Sequence, residues 1–200
     1  MKNGIVSIII SITALLIMCA AHIVFIVRIR SGHIKPNASS WGAWVFATAV
    51  NVFSYSAMSK DIIVASWTFM IFTMCAIVFV YALLKRSFSR MTIPDWLLLT
   101  LSIIATLTLY FSHDAKSASL ILSVACVIPL LPTIIGLRNN PSNENSLPWI
   151  MLAIGYALVT VNVIMRWKGE WGNLAMPVLI FVGNSCVVWL SSSARKRRMN

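Results

Sequence analysis

Acidic residues are scarce in this chain of 200: Asp61, Asp95, Asp114, Glu144 and Glu170 are the full set, against sixteen Lys and Arg. Each falls in a polar break or at the end of an apolar run. No two are placed as a general acid and base would be, and no HExxH or GxSxG pattern occurs. An enzyme is therefore not expected, and no cofactor is implied. Charge of either sign is also rare, at 10% of residues, while 59% are hydrophobic. Soluble domains carry about 25% charged residues. That excludes a soluble core, and no stretch between the apolar runs is long enough to form a separate soluble domain. Cys19, Cys75, Cys126 and Cys186 all lie inside apolar runs without CxxC spacing. They read as small buried hydrophobes rather than a disulfide framework. No His/Cys/Asp cluster has the spacing of a metal site. No lysine lies inside the last apolar run, so a retinal Schiff base is excluded.

What the chain does have is apolar length. A spanning helix needs about 20 apolar residues, and seven such segments follow one another. They run over 4–27, 41–58, 62–84, 95–112, 117–137, 147–165 and 171–192. The first is too long for the core of a signal peptide and reads as an uncleaved helix. Lys and Arg divide unequally between the two sides. Arg28, Arg30, Lys35, Lys85, Arg86, Arg90, Arg138 and the tail Arg195 to Arg198 fall on one side. Lys2, Lys60, Lys116, Arg166 and Lys168 fall on the other. The positive-inside rule makes the richer side cytoplasmic, so the N-terminus is expected outside, in a plasma (inner) membrane. The net charge of +11 then sets topology and attracts anionic lipid headgroups at the cytoplasmic face. Nucleic acid is not an expected partner. Tryptophans near segment ends, among them Trp44 and Trp149, read as interfacial anchors.

A short stretch occurs twice. Pro36 and Pro141 each follow a basic, polar patch, and Trp44 and Trp149 each stand eight residues later at the head of an apolar run. At shifts of roughly 105–111 residues, Cys19 falls beside Cys126, Cys75 beside Cys186, and Lys85-Arg86 beside Arg195-Lys196. This pattern predicts two parallel three-helix bundles joined by a linker helix. The first covers residues 1–86, the linker 87–116 and the second 117–200 with its basic tail. Three helices that start outside end inside, so the extra helix is what gives both triples one orientation.

This three-plus-one-plus-three plan resembles the PQ-loop and SWEET (MtN3) transporter superfamily. Pro132-Thr133-Ile134-Ile135, the polar loop 138–146 and Trp149 are similar to that family's proline–glutamine dipeptide, basic loop and following helix. Thr133 stands where glutamine is expected, and Phe25-Ile26-Val27-Arg28 has no proline in the matching place. The resemblance implies a narrow pathway between the bundles, crossed by small polar solutes, often sugars, as one bundle rocks against the other. The alternative is a seven-helix receptor or accessory protein of the same fold without transport. Self-association of the chain stays open.

Polar groups deep in a span must find partners or face water. Asn51 and Tyr55 are four apart on one helix face. With Trp67, Tyr156, Asn162 and Asn184 they form the candidate substrate site. Amides pair with polyol hydroxyls, and a ring such as Trp67 stacks on a sugar face. The competing role is helix association, at about 0.6–2 kcal/mol per group. His22, a turn and a half before Arg28, is a candidate gate. Pro129, Pro132 and Pro177 are candidate hinges, because each removes a backbone donor. No carboxylate lies inside a span, so facilitative rather than ion-coupled transport is expected.

Overall fold

Backbone N–H and C=O groups in hydrocarbon must pair within their own segment, which makes a helix the natural form of each apolar run. The computed structural model describes residues 2–32, 38–86, 90–128, 130, 134 and 146–199. Among the described residues there are seven helices and no strand. They are α1 (Lys2–Arg30), α2 (Ala38–Ser59), α3 (Ile62–Leu84), α4 (Ile93–Ser112), α5 (Ala115–Ala125), α6 (Ser146–Met165) and α7 (Gly172–Met199). Five of them, α1, α3, α4, α6 and α7, are long and apolar enough to cross a membrane. The chain is thus an integral, multi-pass membrane protein by length and composition.

The other two helices depart from the expected seven spans. Helix α2 has 22 residues, but its serines, threonine and asparagine keep it out of the strongly apolar set. Helix α5 has 11 residues, against the expected run over 117–137. Cys126 to Ile128 form a turn. The sequence gives the reason: Pro129 has no N–H to offer the carbonyl of Ala125, the bond a continuing helix would need. Pro129 and Pro132 themselves lie outside the described residues, as do residues 35–37 and 140–145 of the two proline-to-tryptophan stretches.

The few acids open the helices. Asp61 accepts hydrogen bonds from the amides of Ile63 (3.1 Å) and Val64 (3.4 Å) at the start of α3. Asp114 accepts from the Ser117 amide at 3.0 Å and opens α5. Asp95 Oδ2 accepts from the Thr92 amide (2.8 Å), the Thr92 hydroxyl (2.7 Å) and the Ser40 hydroxyl (2.8 Å). Carboxylates at these positions satisfy orphan donors and meet the positive end of the helix dipole. Asp95 also joins the start of α4 to the start of α2.

Helix neighbours follow a regular order. Helix α3 packs on α1 and α2, and α7 packs on α5 and α6. Helix α2 meets α5, and α6 meets α1, which closes a ring. Helix α4 lies against α2 and α5. Exchanging α1, α2 and α3 for α5, α6 and α7 leaves the list of ring neighbours unchanged. The α1–α6 contact is close because Gly155 has no side chain: a Cβ there would run into Met18. Ala14 and Met18 are fully buried at that contact. Outward faces, such as Ile5, Ile9 and Leu16 on α1, are exposed and apolar.

Asp95→Ala removes the shared acceptor of Ser40 and Thr92. We expect a loss of about 1–3 kcal/mol, read as a lowered thermal midpoint of the purified protein in detergent.

Candidate functional site

The ring encloses a cavity of about 380 Å³. All three early helices contribute to it, as do α6, α7 and the end of α5. Its lining reaches the end where α1 finishes and α2 and α6 begin, at Arg28, Trp41, Trp44, Pro148 and Trp149, called the mouth below. Thr48 and Asn51 stand one and two turns further along α2, and Leu152 and Tyr156 do the same on α6. Six pairs of lining residues stand 105 positions apart. Ala21 pairs with Cys126, and Phe25 with Leu130. Trp44 pairs with Trp149, and Asn51 with Tyr156. Ile71 pairs with Met176, and Cys75 with Ile180. Each helix of the first set thus has two of its lining residues matched at a shift of 105, those of α1 by Cys126 and Leu130 just beyond α5.

Several polar groups of the wall are already committed. Thr48 Oγ1 donates to the Trp44 carbonyl at 2.8 Å. His22 lies 2.7 Å from the Met18 carbonyl through Nδ1. A carbonyl only accepts, so Nδ1 carries the proton. Asn184 Nδ2 donates to the Ile180 carbonyl at 2.7 Å. Other groups are not committed: Oδ1 of Asn51 and Oδ1 of Asn184 have no hydrogen-bond partner among the described residues, in side chains that are both buried. Buried polar atoms without partners are uncommon and costly, and these two belong to residues of the cavity wall. Among the described residues no carboxylate lines the cavity. No cluster suited to a metal ion occurs among the described residues.

Behind Tyr156 the interior is filled. Trp67 packs edge-on between Tyr55 (5.2 Å between ring centroids) and Tyr156 (5.7 Å). Tyr55 Oη donates to the Asn173 carbonyl at 2.7 Å, which joins α2 to α7. Beyond these rings a polar network closes the end of the ring opposite the mouth. Ser7 Oγ donates to Asn162 Oδ1 at 2.6 Å and accepts from Arg166 Nη1 at 3.4 Å. Arg166 Nε donates to Asp61 Oδ2 at 2.9 Å, and Lys168 Nζ lies 3.4 Å from the same oxygen. The Asp61 side chain is only 6% exposed. Burial works to raise its pKa. The Arg166 hydrogen bond and charge, with the Val64 and Ile63 amides, outweigh burial and hold it below the ordinary carboxylate range. Lys116 and Glu170 pair at 2.9 Å, in a more exposed position nearby.

Of the residues expected from sequence, Asn51, Tyr156, Asn184 and His22 are among the cavity lining. Tyr55 and Trp67 lie behind it, in the aromatic floor. Asn162 belongs to the network at the closed end. Pro177 is buried inside α7. The wall also contains Arg28, Thr48, Cys75 and Cys126, which hydropathy reading does not single out. Trp44 and Trp149, expected as interfacial anchors, line it too. The signal that would have found several of these is the constant shift of 105. Asp61 and Arg166 obey that shift as well, and they are in contact. No family model matches the chain, and no curated protein or solved structure matches it.

Asp61 has a depressed pKa, so its contribution is present above its unfolded value near 4 and lost as pH falls through the lower folded value. Asp61→Asn is expected to cost about 3 kcal/mol at neutral pH. The parent's thermal midpoint should fall below about pH 4, and the variant should lack that component of the fall.

Proposed function

We propose that the chain is a facilitative carrier of a small polar solute. One observation carries this reading: a cavity bounded by matching positions of α1–α3 and of α5–α7, with a mouth at one end and a packed, hydrogen-bonded closure at the other. Such a cavity suits alternating access, in which two bundles rock about a central site. In this reading residues 1–86 and 117–200 are two parallel bundles, and α4 is the linker that gives them one orientation. The exchangeable list of helix neighbours supports that plan, as does the resemblance to the PQ-loop and SWEET superfamily. In this reading α2 crosses the bilayer beside the five long apolar helices, and α5 is the first part of a spanning segment over 117–137. The positive-inside rule makes the mouth cytoplasmic and the Asp61–Arg166 end external, in a plasma (inner) membrane.

Each part of the site has a task in this cycle. Asn51, Tyr156 and Asn184 offer hydrogen-bonding groups to the solute, and the tryptophans of the mouth give it flat apolar walls. Trp67, wedged between Tyr55 and Tyr156, blocks passage. The bonds of Asp61 with Arg166, and of Ser7 with Asn162, hold the external end shut and must break for it to open. A cavity without a carboxylate has no ready partner for a coupling cation, which favours movement down the solute's own gradient.

Counterflow in liposomes tests the reading, with candidate sugars, amino acids and organic acids as solutes. Asn51→Ala and Tyr156→Phe should each lower exchange at least about tenfold, a loss of about 1.4 kcal/mol or more, while the thermal midpoint stays near that of the parent. Variants that lose folding along with exchange would instead make these residues helix contacts. An ionophore that collapses proton and sodium gradients should leave exchange intact, and abolition by that treatment would sink the facilitative mechanism.

A further inference from the structure

Charge in the cavity is one-sided. Arg28 is half-buried and lines the mouth. None of the ion pairs among the described residues involves it. Among the described residues no Asp or Glu shares the lining. Its neighbour Arg30 is exposed and lies outside the lining, so the basic end of α1 is already served by a residue that faces away. The first turns of α2 and α6 also open at this mouth, and helix N-termini carry partial positive charge. His22, Phe25 and Arg28 follow one another at intervals of three along one face of α1. Phe25 packs against Trp41, with ring centroids 5.7 Å apart. Phe25, Trp41, Trp44 and Trp149 line the cavity together with Arg28.

Resting on the carrier reading above, we propose that the solute is a small organic monoanion: one carboxylate attached to a flat, largely apolar body. Arg28 takes the carboxylate, because a guanidinium fork matches its two oxygens. The aromatic walls take the body, and the Oδ1 atoms of Asn51 and Asn184 accept from hydrogen-bond donors deeper in. A cation would face like charge with no acid to offset it. A dianion would leave its second charge unpaired in a medium of low dielectric, where an uncompensated charge is costly. A neutral polyol makes no use of the guanidinium.

The test is thermal unfolding of the purified full chain in neutral detergent at fixed ionic strength. Benzoate, benzamide, benzylamine and glucose serve as probes, and binding raises the midpoint by mass action. Benzoate should raise it saturably, and its three rivals should bind at least tenfold more weakly. Arg28→Gln should remove the benzoate preference, Arg28→Lys should keep part of it, and Arg30→Gln should leave it intact. The comparison of benzoate with benzamide on the parent chain stands even where Arg28→Gln does not fold. Equal binding of benzamide or tighter binding of glucose overturns the anion assignment and leaves the carrier reading standing. So does benzoate binding that survives in folded Arg28→Gln. If no probe binds and no solute exchanges in liposomes, both readings fall.

Discussion

A polar group in hydrocarbon must be paired or must face water, and most of this structure follows from that constraint. It makes each apolar run a helix. It also accounts for the few acids: the four in the described residues all stand at helix starts, where three accept from backbone amides that the helix leaves unpaired and Glu170 accepts from Gly172. Serine and threonine hydroxyls deep in the helices mostly turn back to a carbonyl three or four residues earlier, as Thr48, Ser102, Ser123 and Thr160 do. Against that background the unpartnered oxygens of Asn51 and Asn184 stand out. Ser56, Trp67, Ser119 and Asn173 also carry a buried polar atom without a hydrogen-bond partner among the described residues, but of the six only Asn51 and Asn184 belong to the cavity wall.

The same constraint separates what was legible in the sequence from what was not. Helix α3 is found at the bounds that hydropathy and the Lys60-Asp61 and Lys85-Arg86 breaks imply. The end of regular helix at Ala125 was less legible. Mean hydropathy stays high past that point, and a proline inside a span is compatible with a kink as well as with a stop. At the site, Asn51 and Tyr156 were legible because a polar group in mid-span needs a reason. Tyr55 has the same signal, yet its hydroxyl is spent on the Asn173 carbonyl, 118 residues away. Periodicity along one helix carries no information about such a partner. The Asp61–Arg166 pair was hidden for a related reason: each residue reads alone as a loop charge, and only the packing of α6 on α1 and α3 brings them together.

The closed end and the open end differ in kind. The mouth combines aromatic rings with a guanidinium that joins none of the ion pairs among the described residues. The far end combines an ion pair, a serine–asparagine bond and an aromatic wedge, contributed by α1, α2, α3, α6 and α7. Its components couple several helices at once, so releasing one weakens the hold on the others.

Trp67 has one more consequence. Along the 105-residue correspondence its counterpart is Gly172, where even a Cβ would meet the Met58 sulfur at 2.7 Å. A large ring in one half therefore corresponds to a residue with no side chain in the other. Two identical three-helix units associating as a dimer would have to supply a tryptophan from both sides or from neither. A single continuous chain escapes that restriction and can place one plug at its centre. If the halves arose by duplication, this is a position where remaining identical would have been impossible.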